Sequence, residues 1–100
     1  PVIRSHTQAI TVTLEEPASE EEVRAVLSRG RGIAVVDDRA GNRFPTPLKA
    51  SGGDDVLVGR IRADPGGDPR RWSLIACGDQ LRRGAALNAF QIARLTGLLW

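Results

Sequence analysis

Cysteine, histidine and long apolar runs are scarce in this sequence, and each scarcity excludes a class of protein. A single cysteine, Cys77, leaves no possible intrachain disulfide. One histidine, one cysteine and scattered acidic residues lack the spacing typical of metal ligands, so we expect no metal site. No stretch approaches the roughly 18 consecutive apolar residues that span a membrane, and the first residues lack the layout of a signal peptide. We therefore expect a protein of the cytoplasm or an organelle stroma that contacts no membrane.

The sequence also has little excess of one sign of charge over the other. Fourteen Lys and Arg residues stand against twelve Asp and Glu residues, which gives a net charge of +2. This excess is small, and no arginine-rich helix face carries interleaved aromatics, so we expect no nucleic-acid partner. With 100 residues and a hydrophobic content of 41%, the chain makes one small domain at most.

Hydrophobic periodicity predicts six secondary-structure elements. Ile10 and Val12 alternate with polar residues, which predicts a half-buried first strand. Ser19 and Glu22 form a capping box, so a helix is expected to follow Ser19 and to end at Gly30. The remaining elements are a strand at 33–36 that we expect to be buried on both faces, strands at 56–63 and 72–77, and a last helix over 85–99. The order β-α-β-β-β-α predicts an α+β fold, with a small sheet and two helices.

The segment 37–53 is rich in Asp, Gly, Asn, Pro and Ser. Pro45 and Pro47 flank Thr46, and we expect these prolines to exclude both a helix and a central strand. The result is a predicted loop of seventeen residues, which is long for so small a domain. We expect it to dock on a surface, either this chain's own sheet or a partner.

A basic turn leads into the last helix. Arg82 and Arg83 stand beside a helix N-terminus, whose unpaired amides and dipole favour a bound anion. The alternative is that both arginines are solvated loop residues, and the residues alone do not decide between the two. His6 lies four residues before Ile10, and residues at an even spacing along a strand share a face. We therefore expect His6 to project from the end of the core-facing side of the first strand. A lone histidine at a strand end is by itself more often structural than catalytic.

Four motifs, in order along the chain, carry a resemblance to one family. They are PVIRSHTQ at 1–8, NRFPTPL at 42–48, DDVLVGRIR at 54–62 and GDQLRRGAALNAFQIA at 78–93. Each resembles the matching segment of bacterial and plastid aspartate-semialdehyde dehydrogenases, and the last match is long and specific. Together they extend along the chain from residue 1 to residue 93. The family's chain is several times longer, and its remainder is expected to lie upstream of Pro1.

The resemblance implies a fold and a reaction. The fold is the glyceraldehyde-3-phosphate-dehydrogenase-like C-terminal domain, whose small mixed β-sheet forms a homodimer or larger assembly. Its last helix, here 85–99, is expected to pack towards a nucleotide-binding domain absent from this chain. The reaction is the reductive dephosphorylation of aspartyl-4-phosphate to aspartate semialdehyde with NADPH, in lysine, threonine and methionine biosynthesis. The fragment alone is expected to be inactive, with little or no NADP binding.

The resemblance also implies roles for residues. His6 matches the family's acid/base histidine, which acts beside a nucleophilic cysteine, and Gln80 matches the Asn or Gln that touches the nicotinamide nucleotide. The family's catalytic Asn-Cys-Ser/Thr motif and its substrate-binding arginine are absent here. Cys77 is therefore expected to be a small buried hydrophobe and not the nucleophile. Arg83 stands where the family usually has Lys, which keeps the charge but alters the geometry.

Two hypotheses of different kinds remain. In the first, the chain is the C-terminal piece of the enzyme. In the second, it is a non-catalytic homologue that keeps the dimer-forming sheet and serves as a dimerisation or scaffold subunit. Retention of His6 and Gln80 favours the first, whereas the missing nucleotide domain and the tail ending in Trp100 favour the second. For both, the apolar area on the sheet and the last helix predicts that the chain is not a stable monomer.

Overall fold

The computed structural model describes residues 2–97 and has a four-stranded sheet at its centre. The strands are β1 (His6–Thr13), β2 (Ile33–Val35), β3 (Val56–Ala63) and β4 (Arg71–Gly78); the helices are α1 (Glu20–Arg29), α2 (Pro47–Ala50) and α3 (Leu87–Leu95), and a π-helical turn (Arg82–Ala86) precedes α3. The strand order is β1-β4-β3-β2, with β2 and β3 parallel and the other two pairs antiparallel. The predicted α+β class with a small mixed sheet is confirmed.

Helix α1 begins where the capping box predicts. The Ser19 hydroxyl accepts a hydrogen bond from Glu22 N at 3.2 Å, and the Glu22 carboxylate accepts one from Ser19 N at 2.8 Å. Glutamates fill the first turn and Arg29 lies in the last, so the charges complement the helix dipole. The helix ends before Gly30 and packs beside β2 and β3.

The prediction that prolines exclude a helix from segment 37–53 is wrong. Helix α2 starts at Pro47, and the first helical position tolerates proline because its amide has no partner to lose. Thr46 Oγ1 accepts a hydrogen bond from Lys49 N at 3.2 Å and caps the helix. The segment docks on this chain's own sheet, since Pro45 is buried and lies over Gly59 of β3.

The prediction that the strand at 33–36 is buried on both faces is also wrong. Strand β2 lies at the edge of the sheet and all three of its residues are half-buried. Its apolar run reflects contact with α1 and β3 instead of an interior position. The last helix also differs from its predicted bounds of 85–99, because residues 82–86 form the π-helical turn and α3 ends at Leu95. Residues 98 and 99 of that prediction, and Trp100, lie outside the described residues.

The buried apolar core is small. Within residues 2–97 it consists of Ala50, Val58, Ile61, Trp72 and Cys77. Helix α3 leaves large apolar side chains in solvent: Phe90 is 51% exposed, Ile92 52% and Leu95 80%. The described part of the chain therefore does not cover the apolar surface of its own last helix. None of the helices in that part combines the length and the apolar character needed to cross a membrane.

Candidate active site

A cleft of about 340 Å³ opens where β1 begins and β4 ends. The antiparallel register places His6 opposite Gly78, which brings together residues that are far apart in the sequence. Polar residues line the cleft: His6, Gln8, Asp79, Gln80, Arg83 and Asn88. The two residues to which the resemblance assigns roles, His6 and Gln80, thus lie in one cleft of a size typical of ligand sites.

His6 is the first residue of β1 and is exposed to solvent. Among residues 2–97, none forms a hydrogen bond or ion pair with its imidazole. It shares a face of β1 with Gln8, as the alternation of the strand predicts. An imidazole can serve as a general acid or base, so this position offers the cleft an acid/base group.

Gln80 is tied to the residue that precedes His6. Ser5 N donates to Gln80 Oε1 at 2.7 Å. Ser5 is 4% exposed and has a φ of 77°, a value that residues with a side chain rarely adopt. Its hydroxyl also lies 2.8 Å from Ser51 Oγ. The backbone that leads into His6 is therefore held from two sides.

Asp79 lies buried beneath the cleft and holds three segments together. Its Oδ2 accepts from Arg4 Nη2 and from Gly52 N, both at 2.7 Å, and its Oδ1 accepts from Leu81 N at 2.9 Å. The hydrogen bond from Arg4 lowers the pKa of the carboxyl most; burial raises the pKa, and the two amides lower it further, so it falls from 3.8 to about 2. Asp79 is therefore ionised at neutral pH.

Sequence reasoning missed Asp79 and Arg4 as site residues. One signal was present: an Asp directly after a strand commonly accepts from the amide two residues on, which here is Leu81 N. The pairing with Arg4 had no local signal, because it depends on the register between β1 and β4.

The two arginines of the basic turn meet different neighbours. Arg82 Nε donates to Asp54 Oδ1 at 2.6 Å, and Arg82 does not line the cleft. Arg83 lines the cleft and donates to the carboxamide oxygen of Gln91. The amides of residues 82 and 84 donate to the Asp79 carbonyl at 3.2 Å, so they are not available to a ligand. The Arg83 guanidinium, which also donates to Arg31 O at 3.4 Å, is the positive charge that the turn brings to the cleft.

Cys77 lies on the face of the sheet opposite the cleft. It pairs with Thr7, one position along from the His6 and Gly78 pair, and successive residues of a strand point to opposite faces. The thiol is fully buried and its Sγ is 3.3 Å from Thr7 Oγ1. Cys77 is thus not placed to act as a nucleophile beside His6. No group of three or more His, Cys, Asp or Glu residues in the described part of the chain could hold a metal ion.

Comparison with known proteins relates the chain to one family. A family model described as semialdehyde dehydrogenase, dimerisation domain, matches residues 1–83. The aspartate-semialdehyde dehydrogenase of Prochlorococcus marinus is 48% identical over 95 residues, which is 95% of this chain and 27% of that protein. The Synechocystis enzyme of the same name is 45% identical over 95 residues, which is 95% of this chain and 28% of that protein.

Solved structures give the same relationship. Aspartate semialdehyde dehydrogenase II of Vibrio cholerae, complexed with ASA, matches with a TM-score of 0.84 and 37% identity over 94% of this chain and 27% of that chain. The chain thus spans 27–28% of the length of these relatives and matches their C-terminal portion. The family match covers both β1 with His6 and the turn with Gln80. The chain therefore belongs to the semialdehyde dehydrogenase dimerisation-domain family.

Proposed function

We propose that this chain is the C-terminal part of an aspartate-semialdehyde dehydrogenase. The whole enzyme reductively dephosphorylates aspartyl-4-phosphate to aspartate semialdehyde with NADPH, for lysine, threonine and methionine biosynthesis. The observation that carries the proposal is the cleft that joins His6 to Gln80, in a chain 48% identical to an enzyme of that name. The chain alone is inactive in this proposal, because the nucleophilic cysteine and the nucleotide-binding domain belong to the rest of the enzyme.

His6 is the proton-transfer residue of the proposed reaction. Its imidazole lines the cleft and has no partner among residues 2–97, so both ring nitrogens are available. It accepts the thiol proton of the upstream cysteine as the sulfur attacks the acyl-phosphate carbon, and phosphate leaves as its bond to that carbon breaks. It then donates that proton to the carbonyl oxygen, which gains negative charge when hydride is added. It takes the proton back as the C–S bond breaks, which releases the aldehyde and returns the proton to the cysteine sulfur. General acid/base catalysis of this kind contributes about 10²- to 10⁴-fold.

The cleft fits the nicotinamide end of a dinucleotide better than its phosphates. Gln80 Oε1 is occupied by Ser5 N, which leaves Nε2 to donate to an oxygen of a bound ligand. Arg83 supplies positive charge in the same cleft for a substrate phosphate or carboxylate. No glycine-rich phosphate loop opens a helix here, so the upstream domain holds the rest of NADP. The bound nicotinamide supplies the hydride.

We also infer a homodimer, located in the cytoplasm of a bacterium like the relatives named above. On the sheet face opposite the cleft, β1 exposes the small side chains of Thr7, Ala9 and Thr11, which suit a flat packing partner. The family description as a dimerisation domain supports this use of the surface. The exposed apolar residues of α3 are then left for the nucleotide-binding domain. A plastid stroma is the alternative compartment.

A chimeric enzyme tests the proposal. In it, this chain replaces the corresponding C-terminal segment of the Prochlorococcus marinus relative. We expect the chimera to oxidise NADPH in a manner that depends on aspartyl-4-phosphate. A folded chimera that lacks this activity contradicts the proposal and favours the alternative, a dimerisation or scaffold subunit. Neither the cleft nor the names of the relatives favours that alternative.

A further inference from the structure

Three segments that are far apart in the sequence meet at one buried carboxylate. Asp79 accepts hydrogen bonds from Arg4 before β1, from Gly52 after α2 and from Leu81 after β4. Its side chain is 0% exposed, so no water replaces a lost partner without rearrangement. The three segments are therefore held as one unit, and one of them leads directly into His6.

The Gln80 carboxamide has a defined orientation within this unit. A backbone amide only donates, so the atom that faces Ser5 N at 2.7 Å is the oxygen Oε1. The Nε2 group is the end left for the cleft, and no residue between 2 and 97 accepts from it. Gln80 is thus set to bind a hydrogen-bond acceptor, such as a carbonyl or phosphoryl oxygen, and not a donor.

Ser5 connects the Gln80 carboxamide to His6. It precedes the histidine directly and has a φ of 77°. A residue with a side chain keeps such a conformation only where its surroundings hold it. Here two hydrogen bonds hold Ser5, one from its amide to Gln80 Oε1 and one between its hydroxyl and Ser51 Oγ. Loss of the hydrogen bond from Ser5 N to Gln80 Oε1 therefore frees the backbone next to His6.

We propose that Arg4, Ser5, Asp79 and Gln80 form a clamp that sets the position of His6, with Asp79 as a positioning residue. An acceptor bound to Gln80 Nε2 polarises the amide whose oxygen holds Ser5, so binding in the cleft strengthens the bond that fixes the histidine. This role rests on the proposed function of the cleft. The clamp itself is a property of the chain and is measurable without substrate.

The single histidine makes a direct test possible. In NMR spectra of the isolated chain, its imidazole C–H signals report the surroundings of His6, and hydrogen exchange reports the protection of the Ser5 amide. Gln80→Met removes the acceptor, whereas Gln80→Glu keeps one. We expect Ser5 to exchange about 3- to 10-fold faster in Gln80→Met, with shifted His6 signals. Gln80→Glu retains the Ser5 protection.

Asp79→Asn tests the second half of the clamp. An asparagine places its NH₂ group either against Arg4 and Gly52 or against Leu81, so donor faces donor in each orientation. We expect weaker Ser5 protection and shifted His6 signals. The matched control is Asp54→Asn, which removes the negative charge beside Arg82 in the neighbouring turn and leaves both readouts unchanged.

Two results would overturn the clamp. One is unchanged Ser5 exchange and unchanged His6 signals in Gln80→Met. The other is an equal response to Asp79→Asn and to the control Asp54→Asn. If Asp79→Asn does not fold, the comparison of Gln80→Met with Gln80→Glu tests the clamp, because neither substitution removes a buried charge. An inactive chimera with an intact clamp would instead remove the proposed function, so the two failures are distinguishable.

Discussion

Gly59→Ala tests how segment 37–53 packs on the sheet. A Cβ at position 59 would lie 2.1 Å from Val36 O, 2.5 Å from Pro45 Cδ and 3.0 Å from Pro45 Cγ. Backbone atoms cannot yield as a flexible side chain does, and Val36 is held because its amide donates to Val58 O at 2.8 Å. The added methyl therefore forces β2, Pro45 or both away from β3.

The expected cost follows from this contact. Overpacking a well-filled site costs about 1–3 kcal/mol, and a clash with backbone places this variant near the upper figure, about 3 kcal/mol. A chain of this size loses about 4–8 °C of melting temperature per kcal/mol, so we expect a fall of roughly 12–24 °C. Total stabilities are about 5–15 kcal/mol, so the variant stays measurable.

Thermal unfolding followed by circular dichroism measures the effect. The matched control is Gly78→Ala in the adjacent strand, where the nearest atom to a new Cβ is Val56 Cγ2 at an ordinary 3.6 Å. We expect the control to be neutral or slightly more stable, because alanine restricts the unfolded chain. If Gly59→Ala has the same melting temperature as the wild-type chain, Pro45 and Val36 do not cover β3 and the described packing is wrong.

Three further predictions concern the cap, pH and assembly. Ser19→Ala removes the α1 cap and should cost about 0.5–2 kcal/mol in urea unfolding, with the exposed Ser28→Ala as control; equal costs would contradict the capping box. Folding lowers the pKa of Asp79 from 3.8 to about 2. The ionised carboxylate therefore stabilises the fold above pH 3.8, and this stabilisation is lost as the pH falls towards 2. If the stability of Asp79→Asn falls with acid in the same way as that of the wild-type chain, this prediction is refuted. Sedimentation should show dimers or larger species at micromolar concentration, and a sharp monomer boundary would count against self-association.

Local signals in the sequence predicted most of the fold. Strand β3 has the predicted bounds, and β4 extends one residue beyond the prediction at each end. The capping box at Ser19 located α1, because both partners lie within one turn. Proline at position 47 misled the prediction of α2, since the same residue that breaks a helix interior also suits a first turn.

The candidate site was predicted only in part, for a physical reason. His6 and Gln80 stand in motifs that resemble a known family, so their identity was readable from the chain. The Arg4 and Asp79 pair joins residues that are far apart in the sequence, and it forms only once the strands are in register. The edge position of β2 likewise depends on strand order, which hydrophobic periodicity does not contain.

In the proposed function, His6 is the acid/base group of an aspartate-semialdehyde dehydrogenase. The most direct test is the turnover of the chimeric enzyme with His6→Asn, measured beside the wild-type chimera and the control Ser28→Ala on the exposed side of α1. We expect kcat to fall by about 10²- to 10⁴-fold in His6→Asn with the fold intact, and the control to be unaffected. Unchanged turnover in a folded His6→Asn chimera would remove His6 from the proposed mechanism.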